Sequence, residues 1–481
     1  MTQDDQFTQF RNALYRTLPW MADAIMDLID ALASNQGCQS VVALSESPEF
    51  RREHGSVFRA IAALRPKGGV RKEDLQAWEQ RLRRPIAPLL DRPREGDPWV
   101  LSVDGTPMAR CHAPTLSDRS YVHQAQAVPG QRPVTIGHEY SLAMLLPARE
   151  RAEPIWALPL AAARVSTSTS AVAVASEQIE ALVTDPRLPM AKELTVAVAD
   201  SHYSQAGFVR SLASQPNLVT LTRLHRSRVL FRAPEAKEPG APGRPLRYGA
   251  KLRPGTTESL SLATEVLETT ASIGKEEQTA KIYRWNDLIL KGEQDRRTVS
   301  QPCDVVLVTV YGQDGRPCYS QDLALVLVGD RRREIASEAA FRYYRRRFDQ
   351  EHAHRFLRRN LLLDRFQTPE TRSEEAWVDL VILAYQTLYA ARHLVSSVRR
   401  PWEPKVKPAT DLSPKSAPSL SPSQVQRGIA RVFAEFGTPA RPPRPRGKPP
   451  GWSLGAPRRR RRILPLVKRG PPDRRKQDKA A

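Results

Sequence analysis

Cysteine is scarce in this sequence, and its scarcity excludes two kinds of scaffold. The four cysteines, Cys38, Cys111, Cys303 and Cys318, are scattered over 481 residues and include no C-x-x-C pair. Such spacing supports neither a disulfide framework nor a zinc knuckle. We therefore expect free thiols in a reducing compartment.

A membrane-spanning run is also missing from the sequence. The most apolar long stretch, AWVDLVILAYQTLYAA, has 16 residues and contains Asp379, whereas a spanning helix needs about 20 apolar residues. The first residues, MTQDDQFTQF, are acidic and polar, unlike a signal peptide. We expect a soluble, cytoplasmic protein that has no membrane partner. The sequence also contains no internal repeat.

Acidic residues are in the minority. Lys and Arg number 74 against 52 Asp and Glu, which gives a net charge of +22. Such an excess favours a polyanionic partner, either nucleic acid or an acidic membrane surface. Residues 401–481 hold 20 Lys and Arg but 5 Asp and Glu, so they carry +15, whereas the first 400 residues carry +7. Residues 401–481 therefore form a separate basic region.

Residues 1–95 space their apolar residues at three and four, which predicts a helical N-terminal domain. Two segments, GSVFRAIAAL and RKEDLQAWEQRL, flank the turn RPKGG. They are compatible with a helix-turn-helix that binds DNA. A packed helical domain without DNA contact is an equally good interpretation at this point.

From Trp99 onward the sequence changes to short apolar runs that end at turn residues. WVLSVDG, PVTIGHEYSLAMLLP and LTVAVAD alternate with helical segments, which predicts a mixed α/β sheet flanked by helices over residues 96–228. KIYRWNDLIL, CDVVLVTVYG and DLALVLVGD predict a β-rich insertion over residues 229–325. A long charged helix at residues 331–360 and an apolar helix after it close this core over residues 326–400.

Residues 401–481 are rich in proline, serine and arginine, which predicts a disordered linker and basic tail. A short helix, QVQRGIARVFAEF, interrupts them. The tail contains a run of five arginines: Arg458, Arg459, Arg460, Arg461 and Arg462. We expect these arginines to contact phosphates without reading sequence, although a merely solubilising tail is the alternative.

Two aspartates follow apolar strands. Asp104 ends V-L-S-V-D-G-T and Asp200 ends V-A-V-A-D-S-H-Y. Carboxylates at the carboxyl edge of adjacent parallel strands would lie close together, where open α/β sheets place ligands. Because like charges repel, a cation between them would stabilise the pair, and oxygen ligands suit Mg²⁺ or Mn²⁺. Each aspartate could instead simply begin a turn.

The charged helix presents one polar stripe. Tyr344, Arg347, Glu351, His354 and Arg358 stand at offsets 0, 3, 7, 10 and 14, so they share one helical face. Such a stripe is too polar to face an apolar core. It could face a metal and a nucleic-acid backbone, or it could be a solvated ion-pair face.

The order of these features resembles the DDE transposases of bacterial insertion sequences that carry the YREK signature. Tyr344, Arg347 and Glu351 match that signature at every spacing, and Arg358 stands where the family has lysine. Asp104 and Asp200 fit the family's first and second aspartates. The resemblance covers roughly residues 95–400 and implies an α/β fold of the RNase H-like type.

The resemblance implies a catalytic triad of Asp104, Asp200 and Glu351 that holds two Mg²⁺ ions, for which Mn²⁺ may substitute. The implied partners are double-stranded DNA with terminal inverted repeats, a target DNA, and a second copy of the chain in the DNA complex. The implied location is the bacterial cytoplasm, in association with the nucleoid.

Contacts to DNA follow from the same resemblance. Tyr344 and Arg347 would hold the backbone of the transferred end, and Arg358 would contact the opposite strand. Replacing lysine by arginine keeps the charge but changes the geometry of the contact. Trp285 is a candidate platform on which a flipped base could stack, although an ordinary packing role is the alternative.

Three other functions remain open at this point. An RNase H-like nuclease could cut DNA without joining it. A transposase derivative could bind DNA without catalysis. A basic RNA-associated protein would account for the tail, but it leaves the ordered carboxylates unexplained.

Overall fold

A computed structural model of the chain describes most of its residues. The described residues are 2–66, 71–124, 133–149, 153–224, 228–235, 246, 248–273, 276–290, 301–396, 420–444, 455 and 460–468.

The first ninety residues form helices, as predicted. The four α-helices are α1 (Gln3–Thr17), α2 (Ala22–Ala33), α3 (Gly55–Leu64) and α4 (Lys72–Arg83). Helix α1 begins at a capping box in which Thr2 and Asp5 exchange hydrogen bonds, which satisfies amides that a helix start leaves open. The two segments of the suspected helix-turn-helix are α3 and α4, and residues 67–70 between them lie outside the described residues.

One large sheet forms the centre of the molecule. Its first six strands are β1 (Trp99–Ala109), β2 (Ser120–His123), β3 (Val134–Leu145), β4 (Leu158–Val165), β5 (Thr195–Ala199) and β6 (Leu218–Arg223). Strand β1 pairs antiparallel with β3 and parallel with β5, and β5 pairs parallel with β6. The predicted mixed sheet with parallel crossovers is therefore present.

Helices cover both faces of this sheet. Helices α5 (Ala171–Val183) and α6 (Ala206–Leu212) follow β4 and β5. On the α5 face, the hydroxyl of Ser141 in β3 donates to Gln178. Gln350 donates to the carbonyl of Leu142, the next residue of β3. The helix at Thr371–Ala391 packs against β4, so helices flank the sheet.

The region predicted as a β-rich insertion adds strands to the same sheet. These are β7 (Leu230–Phe231), β8 (Lys251–Leu252), β9 (Glu265–Ile273), β10 (Glu276–Leu290), β11 (Pro302–Tyr311) and β12 (Leu323–Val328), with a short helix α7 (Thr257–Ser261). Strand β12 pairs with β6, so the sheet runs on without interruption. Strand β9 has a charged and polar sequence and was not predicted.

The long charged helix is two helices, which corrects the prediction of one. Helix α8 (Ser337–Arg346) is followed by its C-cap residue, Arg347, and α9 (Asp349–Arg359) begins after Phe348. At the junction, the amides of Arg347 and Phe348 donate to carbonyls three residues earlier. This tighter winding replaces the α-helical pattern, and it changes the direction of the polar stripe between Arg347 and Glu351.

Helix α10 (Thr371–Ala391) is buried along most of its length. It packs against β4 on one side and against α1, α2 and α3 on the other, which explains its apolar sequence. Helix α11 (Pro422–Phe436), predicted from QVQRGIARVFAEF, also packs on α10. Among the described residues, none of the helices has both the length and the apolar character needed to cross a membrane.

Residues 420–444, residue 455 and residues 460–468 of the predicted tail are among the described residues. The first stretch contains α11, and residues 460–468 run across the loop that follows β1. The amide of Leu464 donates to the carbonyl of Pro114 at 3.1 Å, and the amide of Val467 donates to Arg119 at 2.8 Å. Arg458, Arg459 and the last residues of the chain lie outside the described residues.

Candidate active site

Asp104 lies in the middle of β1, which continues to Ala109, so the prediction that the strand ends at Asp104 is wrong. It lies two residues beyond Ser102, the last residue of this strand that pairs with β5. Its Oδ1 accepts a hydrogen bond from the amide of Gly105 at 2.8 Å. The carboxylate is 25% exposed, so it is half-buried but open to a ligand.

Asp200 follows β5 directly. Ser102 pairs with Val198 in the parallel register, and continuing that register places Asp104 beside Asp200. Asp200 also caps a short 3-10 turn, Ser201–Tyr203, because its Oδ1 accepts from the amide of His202 at 2.8 Å. Two strands thus deliver two carboxylates to one edge of the sheet, and each is oriented by a backbone amide.

The surroundings of Asp104 disfavour its negative charge. Burial raises the pKa of Asp104 to about 6, the Arg347 guanidinium opposes this, and the carboxylates of Asp200 and Glu351 raise the pKa further. The three carboxylates are therefore within electrostatic reach of one another. Their repulsion is the kind that a bound cation relieves.

Glu351 lies in the first turn of α9 and is exposed. Within the part of the chain that the structure describes, no three His, Cys, Asp or Glu side chains are already drawn together as metal ligands. Glu351 would have to turn towards the two aspartates to complete such a set. The three candidate ligands fit a divalent cation, since all are carboxylates and the surroundings of Asp104 already disfavour its negative charge.

Arg347 stands at the α8–α9 junction and faces Asp104. Its Nη1 lies 3.6 Å from Asp104 Oδ2, and its guanidinium lies 5.9 Å and 5.0 Å from the ring centres of Tyr344 and Phe348. Its buried Nε has no hydrogen-bond partner among the described residues. The guanidinium therefore keeps donor capacity that an anion could satisfy.

Arg358 and His354 continue the stripe along α9. Arg358 Nη2 donates to Thr106 Oγ1 and, at 2.9 Å, to the carbonyl of Pro107. Burial lowers the pKa of His354 to about 3, and the positive charges of Arg358 and Arg347 act in the same direction. His354 is thus a neutral ring between two guanidinium groups that both reach β1.

Comparison with known families identifies the family to which the chain belongs. The profile of a family described as DDE superfamily endonuclease matches residues 13–288, more than half of the chain. The chain belongs to the DDE superfamily of endonucleases. No curated protein matches it.

Membership accounts for the coarse features of the molecule. The mixed sheet with helices on both faces is the predicted RNase H-like fold, and enzymes of this superfamily act with divalent metal ions. The chain is therefore an enzyme of the nuclease or polynucleotidyl transferase type. The matched residues include Asp104 and Asp200 and end before Glu351.

Trp285 of this DDE endonuclease is an interior residue. It is 1% exposed, and its indole Nε1 donates to the carbonyl of Ser259 at 2.9 Å. Its ring stacks on Tyr283, with ring centres 6.3 Å apart. A ring enclosed in this way has no face for a nucleic-acid base, so the structure supports the packing role and corrects the stacking prediction.

Sequence reasoning missed the exposed aromatics that border the endonuclease site. A pocket of about 510 Å³ opens beside Tyr344 and Arg347, and Arg223, Tyr319 and Phe348 also line it. Tyr319 and Phe348 are 55% and 50% exposed. Phe348 could have been found, because it lies inside the YREK spacing. Tyr319 lies in the β11–β12 connection, where no pattern points to it.

Tyr203 belongs to the turn that follows Asp200. It is 2% exposed and packs against Phe208 with ring centres 5.4 Å apart. Burial raises its pKa, and the charges of Asp104 and Asp200 raise it further. The phenol ring therefore forms part of the apolar support beneath the two carboxylates.

The arginine run of the tail is only partly described. Arg461 Nη2 donates to Glu370 Oε1 at 2.8 Å, and Arg460 and Arg462 are exposed. These three residues lie on the segment that crosses the loop after β1, so their position relative to the core is fixed.

Proposed function

We propose that this chain is a DNA transposase of the DDE type, which cuts DNA at transposon ends and joins those ends to target DNA. The observation that carries the proposal is the parallel register that sets Asp104 beside Asp200, with Glu351 acting on the same buried carboxylate. Two acidic side chains thereby meet at one edge of the sheet, and Glu351 would join them by turning towards that edge.

Asp104, Asp200 and Glu351 would hold two Mg²⁺ ions, or Mn²⁺ in their place. Such a pair of ions activates the attacking oxygen and stabilises the leaving oxygen of a phosphodiester. The backbone amides of Gly105 and His202 orient the two aspartates, so the carboxylates are held ready for this role before any ligand arrives.

Arg347 would have two successive partners in this proposal. In the free protein it faces Asp104 at 3.6 Å and offsets part of the negative charge. When cations take over that function, its guanidinium becomes available to a DNA phosphate. The ring of Tyr344 lies beside the Arg347 guanidinium. Arg358, which donates hydrogen bonds to Thr106 and Pro107, would contact the other strand.

The partners in this proposal are double-stranded DNA with terminal inverted repeats, a target DNA, and a second copy of the chain, since two ends must be cut. Arg460, Arg461 and Arg462 would contribute phosphate contacts that do not depend on sequence. The setting would be the bacterial cytoplasm, in association with the nucleoid.

A cleavage and joining assay tests the proposal. The purified chain is incubated with DNA that carries the inverted repeats flanking its gene, a supercoiled target plasmid, and Mg²⁺ or Mn²⁺. We expect cut ends followed by end–target joints. Asp104→Asn, Asp200→Asn and Glu351→Gln should each abolish both products, whereas Glu180→Gln, at an exposed carboxylate on α5, should change neither.

The same assay separates the alternatives. Cut ends without joints in the wild-type protein would identify a nuclease that lacks strand transfer. Binding without any cutting would identify a non-catalytic derivative. Cutting that survives in all three carboxylate variants would contradict the proposed site.

A further inference from the structure

A second cleft lies next to the candidate active site, along a different face of α8 and α9. It has a volume of about 850 Å³. Whereas Tyr344, Arg347 and Glu351 belong to the stripe of the active site, Arg342 and Arg346 of α8 line this cleft. The two helices therefore act as a partition with a polar surface on each side.

Positive charge dominates the cleft. The charged lining residues are five arginines, Arg94, Arg149, Arg342, Arg345 and Arg346, and three carboxylates, Asp97, Glu338 and Asp349. Two of the carboxylates are engaged, because Arg342 binds Asp97 at 2.8 Å and Arg149 binds Asp349 at 2.8 Å. The cleft thus keeps an excess of two positive charges.

Arg346 has a buried hydrogen-bond donor that is left open. Burial lowers the pKa of Arg346 to about 10, and Arg149 acts in the same direction, whereas Asp349 and Asp97 oppose the shift. Arg346 Nη2 donates to the carbonyl of Leu146, and its buried Nε has no partner among the described residues. An anion in the cleft would give this Nε an acceptor.

The remaining walls suit the backbone of a nucleic acid. Thr269 and Thr270 of β9 line the cleft on the side of the insertion, and arginine with threonine is a combination that binds phosphate oxygens. Phe348 and Arg345 line both this cleft and the pocket beside Tyr344. The cleft therefore adjoins the active site across a single turn of backbone.

We propose that this cleft binds the sugar-phosphate backbone of the target duplex, and that it is separate from the surface that holds the transposon end. The inference rests on the proposed function, since only a joining enzyme needs a target. Two DNA molecules must reach the same carboxylates from different sides, and the α8–α9 partition provides two sides. The cleft offers charge and hydroxyl groups, which suit a target of variable sequence.

The test separates cutting from joining. The double variant Arg94→Ala/Arg342→Ala removes two exposed cations of the cleft. We expect it to hydrolyse transposon ends within about twofold of the wild-type rate. Joining of a pre-cut end to a limiting amount of plasmid should fall at least about tenfold. The dependence of target binding on salt should weaken by about two phosphate contacts.

Two further variants control for charge and folding. Arg94→Lys/Arg342→Lys keeps the charges and should retain joining within about threefold. Arg187→Ala/Lys192→Ala removes two exposed cations near the opposite end of β5 and should leave both reactions unchanged. Melting curves of all variants check that the fold is intact.

Each other outcome overturns the inference. Joining by the cleft variant at the wild-type rate would mean that the target lies elsewhere. Equal loss of cutting and joining would assign the cleft to the transposon end or to the partner subunit. A wild-type protein that never joins DNA would remove the proposed function, and the inference would fall with it, which the wild-type control alone reveals.

Discussion

Two clusters of buried charge lie along β1, and they differ in how their negative charge is compensated. After the end of the strand, Glu374 accepts a hydrogen bond from Arg110 at 2.8 Å and one from His138 at 2.5 Å, and all three side chains are essentially unexposed. Within the strand, Asp104 has a single arginine, Arg347, at 3.6 Å, together with the repulsion of two further carboxylates.

The first cluster continues along α10, where arginines pair with each carboxylate, although burial still raises the pKa of Asp379. Arg65 binds both oxygens of Asp379 and also binds Glu375 at 3.0 Å. Arg164 binds the other oxygen of Glu375 at 3.1 Å and also contacts Asp118. These charges join the N-terminal helices, the sheet and α10, so their role is structural.

The contrast shows how to distinguish a structural group of buried charges from a functional one. A structural group satisfies each carboxylate with donors from the protein. A functional group keeps a carboxylate in an unfavourable state that a ligand later relieves. By this criterion Asp104 marks the site for a ligand, and Glu374 does not.

The largest effect is expected from disrupting the compensated cluster. Glu374→Gln removes the charge that Arg110 and His138 share and leaves the buried guanidinium without its counterion. We expect a loss of about 3 to 5 kcal/mol in the free energy of unfolding, measured by urea denaturation. An unfolding free energy within 1 kcal/mol of the wild-type value would show that this cluster is not structural.

Substitution in the uncompensated cluster around Asp104 should instead increase the free energy of unfolding. Because the pKa of Asp104 is raised to about 6 in the folded state, folding favours its protonated form. The ionised carboxylate of Asp104 therefore lowers the free energy of unfolding. This destabilisation is absent below about pH 4, grows as the pH rises to 6, and is complete above that. Asp104→Asn should therefore stabilise the metal-free protein by about 3 kcal/mol at pH 7.5.

Melting curves recorded from pH 4 to 8 measure that gain. It should shrink as the pH falls through 6 and vanish near pH 4, while DNA cleavage is lost at every pH. Destabilisation by Asp104→Asn at pH 7.5 would mean that Arg347 already compensates the carboxylate.

Binding of a divalent cation should have a smaller effect on stability, and it distinguishes the Asp104 cluster from the Glu374 cluster. Mg²⁺ at about ten times its dissociation constant should stabilise the wild-type protein by about 1.4 kcal/mol. The stabilisation should disappear in Asp200→Asn but persist in Glu374→Gln. If Mg²⁺ stabilised Asp200→Asn as much as the wild type, the cation would bind elsewhere.

The smallest effect is expected at an exposed ion pair. Arg331 binds Glu334 at 2.6 Å, with side chains 37% and 50% exposed. Glu334→Gln should change the free energy of unfolding by less than about 0.5 kcal/mol, since solvent screens such pairs. A change comparable to that of Glu374→Gln would show that burial does not determine how much an ion pair stabilises this protein.

The sequence was most informative where local patterns determine structure. The apolar runs that end at Asp104 and Asp200 are strands because their neighbours bury them on both faces, and the spacing in α10 reports its buried position. These patterns were sufficient to predict the sheet and the edge on which the aspartates lie.

Sequence reasoning failed where distant contacts decide. Trp285 is a large aromatic in a strand, but only the packing of Ser259 and Tyr283 determines that it is enclosed. The junction between Arg347 and Phe348 contains no proline or glycine, so nothing local indicated that the helix would be wound more tightly there. Strand β9 is polar in sequence, and its partner β10 determines its conformation.

The attachment of residues 460–468 to the core has a consequence for the phosphate contacts that we propose for their arginines. Arg119 holds it to the core by donating to the carbonyls of Pro114 and Leu464, so the chain between α11 and Leu464 is anchored at both ends. The conformational entropy of Arg460 to Arg462 is therefore partly lost when the protein folds. A phosphate that meets them encounters preorganised cations, and each contact can add more affinity than it would from an unanchored end.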